Sequence, residues 1–179
     1  MNQENQMRYA GFWVRVGASL IDFLVLLIPL CIHLFNLYSW KLLPIELFIY
    51  FLMIIYKPFM EMRYGATLGK MAVNLKVVTP NEGLMNFKQT LIRNSPWLFT
   101  GLVSTYSIIV LFTHPLYAET NGFIEIGKLQ QEVTPLLIHW VSSAFFFIAV
   151  IIVAFHPEKR GLHDLLAGTY CIKDTGNQE

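Results

Sequence analysis

Charged residues are scarce in this sequence. Asp, Glu, Lys and Arg make up 14% of its 179 residues, against about a quarter in an ordinary soluble domain. Hydrophobic residues make up 55%, and the mean hydropathy is +0.49. No polar segment carries a basic patch with interleaved aromatic residues, which argues against a nucleic-acid partner. The composition therefore predicts a multi-pass membrane protein surrounded by the lipid bilayer.

Cysteine is also scarce, with only Cys31 and Cys171. They fall at or near opposite ends of the membrane layout given below, so we expect no disulfide between them, and their spacing is not that of a metal site. The N-terminus does not resemble a cleavable signal. Its apolar run is too long, contains Asp22 and is followed by no small-residue cleavage motif.

Motifs for catalysis or cofactor binding are missing. The segment 65–70, GATLGK, resembles a phosphate-binding loop, but three rather than four residues separate its glycines and Met71 follows its lysine. No nucleophile–base pair stands out, and the adjacent His163 and Asp164 would not face each other on a helix. We therefore expect neither enzyme activity nor a cofactor.

Long apolar runs predict an all-α polytopic membrane protein that forms a single domain over residues 1–179. Its four transmembrane helices are expected over about residues 12–35, 44–60, 96–115 and 135–155, followed by a C-terminal segment over 156–179. Between the second and third spans, alternating apolar residues at 73–78 predict a short β segment. Asn86 and Gln89 have the spacing of a capping box. They predict an amphipathic helix that ends before Pro96.

The first span contains a carboxylate. From Val16 to Phe35 it has thirteen Val, Leu, Ile or Phe residues, which together favour insertion by about 4 to 8 kcal/mol. A buried Asp22 costs only about 2.5 to 3.5 kcal/mol, so the span is still expected to insert. Asp22 follows Arg15 by about two helical turns, so both side chains project from one face. This spacing fits either a structural charge pair or an ion or proton site.

Lysine and arginine are unevenly placed around the predicted spans. Eleven lie near the start of the first span, between the second and third, or after the fourth, and only Lys41 and Lys128 lie elsewhere. Basic residues accumulate on the cytoplasmic side. Both termini and the interval 61–94 are therefore predicted to be cytoplasmic, with the spans in the cell (inner) membrane.

Several charged residues are expected near this cytoplasmic surface. Asp164 follows Arg160 by four residues, so a helical turn would pair them. The whole predicted cluster comprises Arg15, Asp22, Arg93, Arg160 and Asp164, with Lys70 in the loop between the second and third spans. It fits either a network that joins helix ends or a vestibule in which Asp22 binds a cation or proton.

The predicted outer side holds a few further polar groups. His33, His114 and His139 fall at similar depth, but their spacing carries no metal signature, so interfacial hydrogen bonding is the preferred interpretation over a zinc site. Glu46, near the outer end of the second span, is expected to reach the interface.

Several segments together resemble one family. They are Arg15 and Asp22, the segment 65–70 leading into 74–78, Arg93–Asn94, and the tail 160–169. This set resembles the RDD family of membrane proteins, named for one arginine and two aspartates, which correspond here to Arg15, Asp22 and Asp164. The loop between the third and fourth spans is not covered, and a fourth span exceeds the common three-span core. The resemblance implies a role in transport, with cation/proton antiport suggested.

Two functions remain open from the sequence. A small transporter would move a monovalent cation against protons through Asp22, and it would need a homo-oligomer because four helices barely enclose a pathway. A non-transporting scaffold or accessory subunit of a larger membrane complex would need Asp22 only as a paired group.

Overall fold

The computed structural model describes residues 9–174. This part of the chain is mostly helical, as predicted. The helices are α1 (Phe12–Val25), α2 (Leu27–Phe35), a π-helix (Asn36–Trp40), α3 (Leu43–Tyr64), α4 (Leu68–Ala72), α5 (Phe87–Thr113), a 3₁₀ turn (Pro115–Tyr117), α6 (Phe123–Val133), α7 (Leu136–Phe155) and α8 (Leu162–Ala167). Two short strands complete it, β1 (Leu75–Val78) and β2 (Tyr170–Lys173).

Three of the described helices, α3, α5 and α7, are long and apolar enough to cross a membrane. The count becomes four if the bent pair of α1 with α2 and the π-helix forms one span. Large side chains such as Phe48, Leu102 and Phe147 are exposed on these helices, as contact with lipid requires. The mostly helical fold and these candidate spans support the prediction of a membrane protein.

The region of the first expected span, over about 12–35, is not one continuous helix. The helix breaks at Leu26, and the parts on either side of the break are bent by 46°. Pro29 explains the break: it has no N–H to donate to the carbonyl of Val25, and its ring crowds that carbonyl.

Contrary to expectation, the helix that begins near Asn86 does not end before Pro96. The capping box is present, since Gln89 N–H donates to Asn86 Oδ1 (2.8 Å) and Asn86 N–H donates to Gln89 Oε1 (3.0 Å). However, α5 continues through Pro96. Proline leaves the Ile92 carbonyl without its usual N–H donor. The Ser95 hydroxyl donates to that carbonyl at 2.8 Å, so the backbone group stays satisfied.

The predicted β segment is confirmed at β1, and its partner lies near the other end of the described chain. β1 pairs with β2 in antiparallel register, from Leu75 opposite Lys173 to Val78 opposite Tyr170. The 3₁₀ turn and α6 occupy the interval between α5 and α7, for which the sequence predicted only a loop.

The chain divides into two compact units. Within the described residues, the first unit comprises 9–25, 57–95 and 148–174, and its apolar core includes Ala18, Leu75, Val77 and Cys171. The second unit comprises 26–56 and 96–147, and its core includes Leu37, Leu111, Tyr117 and Ile126.

Candidate functional site

Asp164 is fully buried in the first unit and receives two guanidinium groups. Arg15 Nη1 donates to its Oδ2 at 2.6 Å, and Arg93 Nη1 donates to its Oδ1. The N–H of Gly161 also donates to Oδ2 (3.1 Å), so Asp164 caps the first turn of α8. The structure therefore brings together Arg15, Arg93 and Asp164, as the sequence predicted.

Arg93 also reaches a second buried carboxylate that the sequence analysis missed. Its Nε donates to Glu61 Oε2 at 3.1 Å, and Asn94 Nδ2 donates to the same oxygen at 3.1 Å. Lys70 Nζ donates to Glu61 Oε1. Glu61 is fully buried. We call the chain of contacts Arg15–Asp164–Arg93–Glu61–Lys70 the ion network.

Asp22 makes different contacts. Its Oδ2 accepts from the Thr67 hydroxyl at 2.6 Å, and its Oδ1 accepts from the Gly69 N–H at 2.8 Å. Both donors belong to the start of α4, where Thr67 is the N-cap residue. A Cβ at Gly69 would lie 2.0 Å from the Ala18 carbonyl oxygen. The backbones of α1 and α4 thus meet at a glycine, and the Asp22 carboxylate joins them; we call this contact the Asp22 clasp.

The side chain of Arg15 is directed to Asp164 rather than to the expected partner Asp22. Arg15 Nε donates to the Ala10 carbonyl at 3.2 Å, and Nη2 donates to the Lys159 carbonyl at 2.5 Å. These two backbone acceptors fix the guanidinium beside Asp164. The same-face spacing on α1 therefore does not determine the partner.

The expected Arg160–Asp164 side-chain pair is also replaced by other contacts. Gly161 is extended (φ −78°, ψ 168°), so Arg160 precedes α8 and does not share a helical turn with Asp164. Arg160 Nη1 donates to Glu158 at 3.2 Å, and Nη2 donates to the main-chain oxygen of Asp164 at 3.3 Å. Its guanidinium also lies 4.3 Å from the ring centroid of Tyr170.

The surroundings of Asp164 shift two titratable groups that lie outside the candidate spans. Burial alone would raise the pKa of Asp164, but the charges of Arg93 and Arg15 hold it well below its usual range. Burial lowers the pKa of His163 to about 4, against the opposing charge of Asp164. At neutral pH the Asp164 carboxylate is therefore an anion held by fixed cations, and the His163 imidazole is neutral.

The three histidines considered for zinc each have their own partner in the second unit. His33 Nδ1 contacts Glu46 Oε1, His139 Nε2 lies 3.1 Å from the Ser107 hydroxyl, and His114 Nδ1 accepts the Leu116 N–H at 3.4 Å. Among the residues that the structure describes, no group of three His, Cys, Asp or Glu side chains is placed to hold a metal ion.

Glu46 does not reach the interface, contrary to expectation. Its side chain is fully buried, and Oε2 accepts from Asn36 Nδ2 at 2.6 Å. The sequence did not predict that Glu46 and Glu61 are buried. Each lies near the end of an apolar run, where a charged residue normally marks the end of the span.

Comparisons with known proteins identify the family of this chain. The model of the RDD family matches residues 9–168, a range that includes Arg15, Asp22 and Asp164. The chain is 24% identical over 177 residues to the uncharacterized protein YckC of Bacillus subtilis (strain 168), an alignment that covers 98% of this chain and 91% of that protein. No solved structure matches significantly. Because the family model covers most of its length, this chain belongs to the RDD family.

Proposed function

We propose that this RDD-family protein is a four-span, non-enzymatic protein of the cell membrane that couples the movement of a monovalent cation to that of protons through Asp22. The Asp22 clasp is the observation that carries this proposal. The carboxylate is only partly buried, and the donors that hold it include an uncharged hydroxyl and a backbone N–H. In contrast to the fully buried Asp164 and Glu61, the partly buried Asp22 carboxylate is accessible to water or to a small cation.

The clasp also provides a mechanism by which a proton or cation bound at Asp22 changes the packing of α4 on α1. An ionised carboxylate accepts hydrogen bonds more strongly than its protonated form. A proton or cation bound at Asp22 would weaken its bonds to Thr67 and Gly69, and α4 would loosen from α1. A ligand that prefers one of two such arrangements shifts the population between them.

The ion network serves as the framework in this proposal. Asp164 and Glu61 are each held by two cationic side chains, so a small cation would have to displace fixed Arg or Lys groups. Three or four spans per chain are few for an enclosed pathway, which supports a homo-oligomer. The placement of lysine and arginine supports cytoplasmic termini; Arg8, one of the residues counted for this orientation, lies outside the described residues.

Proton flux in proteoliposomes tests the proposal. Wild-type protein is expected to move protons when sodium, lithium or potassium is added, and Asp22→Asn is expected to abolish this flux. Glu125→Gln removes an exposed carboxylate on α6 and is the matched control, with flux unchanged. Normal flux in a well-folded Asp22→Asn protein would remove Asp22 from the mechanism.

A second candidate is a non-transporting scaffold or accessory subunit. The ion network favours it, because each of its two carboxylates is already held by two cationic side chains. Such a network can hold loops and helix ends in one arrangement without moving any ion. Folded wild-type protein that gives no cation-dependent flux would support this alternative. After mild detergent extraction, the protein would then be expected to run in native gels as an assembly that contains other membrane proteins.

A further inference from the structure

We propose that His33 and Glu46 form a proton-binding site in the second unit, distinct from Asp22 and from the ion network. The site joins the end of α2 to the first turn of α3. Glu46 is fully buried, and the His33 side chain is 13% exposed. An ionisable group within a candidate span needs a partner or a function, because its charge is costly in an apolar environment.

The orientation of Asn36 fixes which oxygen of Glu46 is free to share a proton. Asn36 Oδ1 accepts the Leu42 N–H at 3.1 Å, so its amide nitrogen must point the other way. That nitrogen donates to the Leu42 carbonyl at 3.0 Å and to Glu46 Oε2 at 2.6 Å. Oε2 is therefore an acceptor, and a proton shared with another group lies at Oε1.

His33 Nδ1 contacts Oε1 directly. A bare ring nitrogen and a carboxylate oxygen would repel each other, so one proton lies between them. With His33 Nε2 unprotonated, the pair carries one net negative charge inside the protein. One proton taken from water onto Nε2 makes the pair neutral, and its release restores the negative charge. The bridging proton stays in place during this exchange.

The neighbouring titratable side chains do not take part in this proton exchange near pH 7. The Tyr50 ring packs edge-on against His33, with centroids 5.5 Å apart. Tyr117 donates its hydroxyl to the Leu37 carbonyl at 2.8 Å. Lys41 donates to loop carbonyls and lies 5.4 Å from the centroid of the Tyr117 ring. Both tyrosines interact electrostatically with Glu46, and a phenol stays neutral near pH 7.

Nitrogen NMR of histidine-labelled protein in lipid tests the proposal directly, with His33 assigned through its backbone. Between about pH 5 and about pH 9, His33 Nδ1 is expected to stay protonated while Nε2 gains and loses a proton. In Glu46→Gln, which removes the carboxylate, the proton is expected to be no longer confined to Nδ1 of His33. The signal of His139 is the internal control and is expected to be unaffected by that substitution.

Wild-type protein alone can contradict the proposal, even if the variant does not fold. A His33 Nε2 that never changes protonation across this pH range would overturn it, and so would a titration that is identical in Glu46→Gln. Proton flux adds an arm that rests on the proposed function, with Glu46→Gln expected to reduce cation-dependent flux. Absent flux in wild type would end the transport proposal and leave the NMR result standing.

Discussion

Arg93 and Asp164 form a buried ion pair between two residues that are 71 positions apart in the sequence. Arg93 belongs to α5 and Asp164 to α8, and the same guanidinium reaches Glu61 of α3 through its Nε. One arginine thus ties three helices of the first unit together. The planar guanidinium, which has five N–H donors in a fixed arrangement, can hold two carboxylates at once in a way that lysine cannot.

The first prediction concerns this pair. Arg93→Met leaves Asp164 and Glu61 buried with fewer donors, and the free energy of unfolding is expected to fall by about 3 to 5 kcal/mol. Reversible unfolding in detergent or lipid measures it. The matched control is Glu158→Gln, which removes the more exposed partner of Arg160 and is expected to cost less than about 1 kcal/mol. Equal losses in the two variants would contradict the framework role of Arg93.

The second prediction concerns Gly69. A methyl group there would lie 2.0 Å from the Ala18 carbonyl oxygen, and a backbone oxygen cannot move aside as a flexible side chain can. Gly69→Ala is expected to destabilise the protein by about 1 to 3 kcal/mol or more. Gly127→Ala is the control, since nothing lies within 4 Å of its Cβ position on α6. The control is expected to stabilise by about 0.5 to 1 kcal/mol, and thermal unfolding of both variants checks the difference in sign.

Structure that depends on local sequence patterns was predictable, whereas structure that depends on particular side-chain contacts was not. Long apolar runs, the capping box at Asn86 and the alternation at 73–78 are local patterns, and they predicted long apolar helices, the start of α5 and the strand β1. The continuation of α5 through Pro96 depends on the Ser95 hydroxyl reaching the Ile92 carbonyl. That contact can be explained afterwards but is not specified by a proline rule.

Partners of charged residues were harder to predict for a similar reason. Helix spacing places Arg15 and Asp22 on one face, yet the backbone carbonyls of Ala10 and Lys159 direct Arg15 to Asp164. Those carbonyls are positioned by the tertiary fold. The sequence therefore identified Arg15, Arg93 and Asp164 as a cluster but missed Glu61, which completes it.

The third prediction concerns acid. The pKa of His163 is lowered to about 4 in the folded protein, against about 6.5 in an unfolded chain. The unfolded state therefore binds a proton first, and stability present above about pH 6.5 is lost as the pH falls towards 4. The pKa of Asp164 is also lowered by folding, so its contribution is lost at still lower pH.

Thermal unfolding between about pH 7.5 and about pH 4.5 checks this sign. Wild type is expected to lose up to about 3 kcal/mol from His163 alone over this range, since one pKa unit corresponds to about 1.4 kcal/mol. His163→Gln is expected to show a shallower pH dependence. A variant as acid-sensitive as wild type would show that the loss comes from other groups.

The fourth prediction concerns Lys41 in the second unit. Its ammonium group lies within hydrogen-bond distance of three carbonyl oxygens, those of Tyr117, Ala118 and Thr120, and of Asn121 Oδ1. Lys41→Met leaves these acceptors without their donor and is expected to cost about 1 to 3 kcal/mol. Amide exchange after residue 117 is expected to speed up. The exposed Lys128 supplies the control Lys128→Met, which is expected to leave exchange there unchanged.

The central claim is that occupancy of the Asp22 carboxylate controls the docking of α4 on α1. Amide hydrogen exchange at Gly69 measures this most directly, because its N–H donates to Asp22 Oδ1. We predict that exchange at Gly69, measured at constant pH, speeds up when a coupling cation is added, and that Asp22→Asn removes this dependence. Exchange at Gly69 that is the same in wild type with and without cation would contradict the claim, and Asp22 would then serve only to hold α4 in place.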